Sequence, residues 1–327
     1  MIYGTLIPIE VNEMDLVTGG AGFIGSHLVD ALVLSGKKVR VIDNFSSGRI
    51  EFLSHHDKND DVEIINCDLL DLEQLKEAME GISHVHHLAA NPDIRLGTEI
   101  TDTDLKQGTL ATYNVLESMR INNVRKISFA SSSAIYGEAE EMPTTEKYGP
   151  NLPISLYGAS KLASEALISA WIGTFGGTGY IHRFANIVGP RGTHGVIFDF
   201  IHKLKNNPNR LEVLGDGFQE KSYMSVADCV ESMLHLIENA NESVNLYNLG
   251  TGDTCSVRRI AEIVVEESGL DNVSIEYTGG KRGWAGDVPK TFLNVDKLLS
   301  TDFKPTRMSE ETIRDTVIQL ISEIGLK

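Results

Sequence analysis

The chain is poor in the features that mark several large classes of protein. It holds three cysteines in 327 residues, Cys67, Cys229 and Cys255. None shares a CxxC spacing and an odd number cannot all pair. That excludes a disulfide framework and a cysteine zinc site, and suits a reducing cytoplasm. No run approaches the roughly 18–20 apolar residues of a membrane-spanning helix, and no basic-then-apolar secretory signal opens the chain. Basic residues are scarce: 29 Lys and Arg against 46 Asp and Glu give a net charge of −17. A general nucleic-acid binder would need a basic face, so no nucleic-acid partner is expected. A few local cations can still hold an anionic ligand. Internal repeats, low-complexity tracts and linkers are missing too. At 41% hydrophobic and 23% charged residues, the composition fits one large α/β unit or two joined domains with ample core.

What is present centres on Leu16-Val17-Thr18-Gly19-Gly20-Ala21-Gly22-Phe23-Ile24-Gly25. A short apolar run ends in Gly19-x-x-Gly22-x-x-Gly25, and a helix-like sequence from Ser26 to Leu34 follows. Strand, glycine turn and helix together present free backbone N–H groups of a helix N-terminus to a pyrophosphate. Gly19 allows the tight turn, Gly22 the approach of the phosphates and Gly25 the packing of helix on strand. Lys38–Ile42 reads as a second strand ending at Asp43. An acid about twenty residues past the glycines accepts from the adenosine ribose hydroxyls and repels a 2′-phosphate. The expected cofactor is therefore NAD, and Arg49 nearby does not reverse that choice.

Strands are expected at Val62–Cys67, His84–Leu88 and Arg125–Ala130, and helices over Leu72–Met79, Asp104–Asn122 and from about Tyr157 to Trp171. Alternation of this kind predicts an α/β fold, a Rossmann-type doubly wound parallel sheet, with ligands at the strands' carboxyl ends. The loop Asn44-Phe45-Ser46-Ser47-Gly48 suits ribose and adenine. Asp68-Leu69 and the small Ala89-Ala90 after Leu88 end two further strands. Residues 1–13 precede the natural start of the first strand at Met14. They read as an upstream start, an added segment or an edge extension.

The histidines of His84-Val85-His86-His87 invite a metal reading. Strand alternation places His84 and His86 on one face and His87 on the other. No carboxylate or cysteine lies adjacent in sequence, so all three read as satisfied histidines and no metal is expected. Catalytic chemistry points elsewhere. Tyr157 and Lys161, four apart, share one helical face, and a nearby ammonium favours tyrosinate. The serine cluster Ser131-Ser132-Ser133 sits at a strand end, where a hydroxyl can share a substrate proton with Tyr157.

These motifs together resemble the extended short-chain dehydrogenase/reductase superfamily, and within it the UDP-glucose 4-epimerase-like enzymes, from about Met14 to the C-terminus. The resemblance implies Ser132, Tyr157 and Lys161 as catalytic residues. It implies a cofactor track of Gly19, Gly22, Phe23, Ile24, Gly25, Asp43, Asn44, Phe45, Ser46, Ser47, Gly48, Asp68, Leu69, Leu88, Ala89, Ala90, Gln107, Tyr157, Lys161 and Ala185. Gln107 stands where the family usually has Asn. Dehydrating relatives carry Asp-Glu after the catalytic hydroxyl and decarboxylating ones a Glu; Ser133 and Ala134 stand here, which favours epimerisation. The substrate side is implied as Ser133, Asn186, Val213, Lys221, Tyr223, Arg282, Asp287 and Thr291. Lys221 replaces an arginine and loses its bidentate fork. Thr291 falls where some epimerases carry a tyrosine closing the pocket, so an N-acetyl group is admissible. By the same resemblance, residues 14–185 with parts of 220–252 form the NAD-binding domain and 186–327 mainly the sugar-nucleotide region. A UDP-sugar substrate, a homodimer through helices near 98–122 and 155–172, no membrane partner and a cytoplasmic location complete the expectation. Weighed against reversible C4 epimerisation of a UDP-hexose are another NAD-dependent sugar-nucleotide enzyme, such as a UDP-glucuronate epimerase or a reductase, and a non-catalytic NAD-binding homologue.

Overall fold

The computed structural model describes residues 13–284 and 286–326. The expectation for the first thirteen residues falls, Glu13 apart, outside the described residues, as does Ala285. β1 (Met14–Thr18), β2 (Lys38–Asp43), β3 (Val62–Asn66), β4 (Ile82–His87), β5 (Lys126–Ser132), β6 (Thr178–Phe184) and a strand at Val244–Leu249 form one seven-stranded sheet. Its order runs from Val244–Leu249 through β6, β5, β4, β1 and β2 to β3, every pairing parallel. Residues such as Leu16, Val17, Val41, Val85 and Ile127 are fully buried, because crossover helices cover both faces of a parallel sheet. The order turns back between β1 and β4, which makes the switch point where ligands bind in such sheets.

α1 (Phe23–Leu34) packs with α6 (Val226–Asn239) on one face, their Leu28, Val29, Met233 and Leu236 sharing one core. On the other face α2 (Leu72–Ala78), α3 (Ala111–Ile121) and α4 (Leu156–Phe175) build a second core around Leu75, Val115, Met119, Phe129 and Ile168. A third core lies in the C-terminal part, where α5 (Val196–Asn206), α7 (Val257–Ser268) and the helix Ser309–Ile324 enclose Leu211, Val213 and Tyr223. No helix among the described residues is long and apolar enough to cross a membrane.

Two expected elements differ in extent. The helix expected from Asp104 opens as a π-helical turn, Leu105–Leu110, before α3. Gly108 explains the local crowding: a Cβ there would stand 2.5 Å from the Ser160 hydroxyl of α4. α4 runs past Trp171 to Phe175 and stops where Gly176 turns to φ 76°. A short strand, Arg210–Val213, ends where Gly215 and Gly217 adopt φ 83° and 79° and bend the chain away.

Candidate active site

The glycine turn forms at the end of β1. Gly19 has φ 68°, and a Cβ there would lie 2.8 Å from the Ala89 backbone. A Cβ at Gly25 would lie 2.1 Å from the Gly19 carbonyl, so only hydrogen lets α1 settle so close to β1. Gly22 caps α1 without a side-chain hydrogen bond, which leaves the N–H groups of Phe23 and Ile24 at the positive end of the helix for an anion.

Asp43 ends β2 with its carboxylate turned toward the turn. It accepts hydrogen bonds from the N–H of Ala21 (3.0 Å) and Phe45 (2.8 Å). Burial raises its pKa, while those two bonds pull the other way. A Cβ at Gly48 would come within 2.7 Å of both carboxylate oxygens. Phe45 holds φ 55°, and with Gly48, Arg49, Ile50 and Asn66 it lines an open recess of about 630 Å³. Asn44 donates to Asp68 (3.2 Å), and its own oxygen holds the N–H and hydroxyl of Ser46. Leu88 and Ala89 donate their N–H groups to Thr18, fixing the end of β4 beside the turn. Leu69 accepts from Asn114 and Ala185 donates to Leu249. Gln107 lies half-buried in the π turn. A tight turn that no Cβ fits, uncapped helix N–H groups and an acid at the next strand end are what a dinucleotide requires, and these residues fit NAD.

The three residues expected to be catalytic converge from two elements. Ser132 ends β5, and its hydroxyl accepts from the Ala134 N–H at 3.1 Å, starting the 3-10 turn that holds Ser133. Ser155 caps α4 by accepting from Gly158, placing Tyr157 and Lys161 in the first turns of that helix. The Ser132 hydroxyl lies near enough to the Tyr157 phenol to lower its pKa. Lys161 donates to the Ala130 carbonyl at 2.7 Å, and its ammonium lies 5.7 Å from the Tyr157 ring.

The electrostatics correct one expectation. Burial pushes the Tyr157 phenol up to about 12, with the Ser132 hydroxyl opposing and the Asp104 charge adding. Lys161 does not draw it down, because the ammonium reaches past the phenol to a carbonyl. Burial takes Lys161 itself down to about 8. Two acids that no motif signalled act here. Asp104, 2% exposed, accepts from Asn91 through one oxygen while the other is unpaired. Glu165 follows Lys161 by four residues on α4, a spacing that could have marked it, and forks onto Arg183 of β6.

His87 is the satisfied histidine expected, bonded to Thr18 and Thr112. His86, however, meets the Asp15 carboxylate at 3.2 Å, a partner supplied by β1 that sequence adjacency could not reveal.

On the substrate side the structure gathers most of the expected residues. Asn186 donates to the Ser222 carbonyl, and Lys221 and Thr291 pair across adjoining short strands, Glu220–Lys221 and Lys290–Thr291. Both expected phosphate ligands already have partners: Lys221 meets Asp287 at 2.7 Å, and Arg282 donates to the Asp287 carbonyl and to Glu138. Tyr223 is buried with Asp287 and Cys255 close enough to act on its phenol. Val213 points into the core and its carbonyl is taken by Thr278; the neighbour that faces outward is Leu214, 40% exposed.

Comparison with known proteins places this geometry. The model of the NAD dependent epimerase/dehydratase family matches residues 16–250. A candidate UDP-glucose 4-epimerase of Methanocaldococcus jannaschii is 34% identical over 93% of this chain and 97% of its own length. A crystal structure of a UDP-galactose 4-epimerase is 42% identical, with TM-score 0.85 over 95% of this chain and 99% of that one. The UDP-glucose 4-epimerase of Thermus thermophilus, solved as a complex with NAD, is 32% identical with TM-score 0.82, over 94% and 98%.

Proposed function

The chain belongs to the NAD-dependent epimerase/dehydratase family, and on that premise we propose that it reversibly interconverts the C4 epimers of a UDP-hexose through a 4-keto sugar. NAD, when bound, supplies the acceptor and then the donor of the C4 hydride. The other steps fall to the chain. Tyr157, ionised once substrate and cofactor are bound, takes the proton of the 4-hydroxyl, and Ser132 beside it steadies the oxygen as charge develops. Lys161 would hold the ribose next to the nicotinamide. Asn186, Lys221 and Arg282 anchor the diphosphate alike in both epimers, while the sugar turns above Ser132 and Tyr157. Asp287 orients Lys221 for that task.

One observation carries the reading. Ser132, Tyr157 and Lys161 meet at one strand end, yet the two positions after Ser132 are Ser133 and Ala134. A proton-transfer pair is present without the adjacent acids that elimination or decarboxylation use. The reading extends to a homodimer through the 98–122 and 155–172 segments, in the cytoplasm. The test is incubation with UDP-galactose, UDP-N-acetylgalactosamine and UDP-galacturonate separately, C4 epimers being resolved by NMR. Conversion to the gluco epimer without net change in NADH supports epimerisation, and the fastest substrate reports what Thr291 admits. Net NADH release points to a dehydrogenase, and no conversion with NAD bound points to a non-catalytic homologue.

A further inference from the structure

We propose that Asp15, His84 and His86 form a structural binding site for one zinc ion inside the central sheet, with the buried His182 on the same face. Register places all four on one face. Asp15 of β1 pairs with His84 of β4, His86 pairs across β5 with Ser128, and Ser128 in turn with Tyr180 of β6. His182 pairs with Ala130, two residues beyond Ser128 on β5. Serine and alanine on the intervening strand leave space on this face, and the His84 imidazole reaches across it to Ser128. The face is the one covered by α1 and α6, since Val17 and Phe184, on the same alternation, belong to that core. α4 lies on the opposite face, where Lys161 stands 4.8 Å from the Phe129 ring. The ion is therefore a fold element and not part of catalysis.

The donor chemistry suits zinc. Asp15, His84 and His86 can each offer one ligand atom with all three within 4.8 Å of one another. The Asp15 to His86 separation of 3.2 Å is close to the roughly 3.3 Å edge of a tetrahedron with zinc–nitrogen and zinc–oxygen bonds. The His84 and His86 rings lie 4.1 Å apart. His84 directs Nε2 to the Ser128 hydroxyl at 3.0 Å, leaving Nδ1 to ligate, the arrangement in which an outer hydroxyl fixes a metal-bound imidazole. Two imidazoles and one carboxylate supply three of the four ligands of a tetrahedral zinc, the fourth position falling to a water.

Beside the cluster, His182 is fully buried with neither ring nitrogen hydrogen-bonded, and His86 keeps Nδ1 unpartnered. This face of the sheet therefore holds more buried donor atoms than the described protein groups satisfy. Asp30, His55 and His56 make a second cluster at the surface. There both histidines already bond Asp30, and Arg191 sits 2.9 Å from its other oxygen, a cation that opposes an ion.

The experiment uses untagged full-length protein, refolded with Zn²⁺, desalted and assayed by mass spectrometry of the metal. A second preparation refolded with Co²⁺ is read by visible absorption. About one zinc per chain and a tetrahedral nitrogen/oxygen cobalt spectrum are expected. His84→Gln and His86→Gln should each lower retained metal at least tenfold, whereas His55→Gln leaves it unchanged. Retained zinc below a tenth of an equivalent in the wild type overturns the site, as does metal that follows His55. If either core variant does not fold, the wild-type cobalt spectrum decides: tetrahedral supports the site and octahedral overturns it.

Discussion

Arg183 and Glu165 form a buried fork, Nε to Oε1 at 3.0 Å and Nη2 to Oε2 at 2.7 Å, between β6 and the helix that carries Tyr157 and Lys161. Ser131 also donates to Glu165, and Arg183 reaches the Tyr136 hydroxyl at 2.9 Å, which continues to Asn248. The fork therefore ties the catalytic helix to the strand beneath it. Breaking such a pair from one side leaves an uncompensated buried charge. Glu165→Leu should lower unfolding stability in urea by about 3–5 kcal/mol, and Glu165→Leu with Arg183→Leu should lose much less. Equal losses in the single and double variants would mean the fork contributes by packing alone.

Tyr157→Phe keeps the ring and its burial but removes the hydroxyl that meets Ser132. General acid–base contributions run to about 10²–10⁴-fold, so turnover should fall by about 10³-fold or more while UDP affinity stays within about twofold. Turnover is read by NMR and affinity by calorimetry. A variant that turns over at wild-type rate would remove Tyr157 from the mechanism.

Burial holds Lys161 at about 8 against a usual 10.5. In the unfolded chain the lysine stays protonated up to about 10.5, so between pH 8 and 10.5 the unfolded state binds more protons than the folded one. Stability therefore rises with pH across that window, and below about 8 the fold bears the full cost of a buried ammonium. Lys161→Met removes that cost. At pH 7 the variant should be more stable than wild type by something on the order of 2 kcal/mol, the bond to Ala130 being lost in exchange. The difference should fade as pH climbs from 8 to 10.5. Chemical denaturation below and above that window measures it, and a constant difference would contradict the sign.

Gly48 gives the Asp43 carboxylate its room, since a Cβ there would approach both oxygens to 2.7 Å. Gly48→Ala should displace the carboxylate and weaken NAD binding by about tenfold, roughly one charge-assisted hydrogen bond. Asp43→Ala should weaken NAD further and narrow the gap to NADP, because the charge that repels a 2′-phosphate is gone. Fluorescence titration of nucleotide-stripped protein with NADH and NADPH reads both. Unchanged NADH affinity in both variants would separate this loop from the adenosine end of the cofactor.

The sheet and its glycine turn were legible because each depends on a short contiguous pattern: an apolar run, a glycine spacing, an acid at the next strand end. Tyr157 and Lys161 were legible for the same reason, four residues apart on one helix. Partnerships formed by the fold were not. Asp15 meets His86 across 71 residues, Lys221 meets Asp287 across 66, and Glu165 of α4 meets Arg183 of the strand beneath that helix. Side chains chosen for one another across strands leave no periodicity to read. Val213 came to the substrate side by resemblance alone, and which face of its strand is covered is decided by the helices of the C-terminal core, among which it is buried.

Leu105 and Leu110 of the π turn, Tyr113 and Ile121 of α3, and Leu156 at the start of α4 are each 45–54% exposed. They lie within the 98–122 and 155–172 segments proposed for the dimer. Apolar side chains exposed in an interface are covered on association, and a two-fold contact uses the same residues on both copies. Leu105→Glu with Tyr113→Glu would bring four carboxylates into a symmetric interface, two from each copy, and desolvating them costs several kcal/mol. The wild type should run as a dimer in light scattering coupled to gel filtration, and the double variant as a monomer with an unchanged circular dichroism spectrum. A wild-type monomer, or a dimer indifferent to both charges, would move the interface elsewhere.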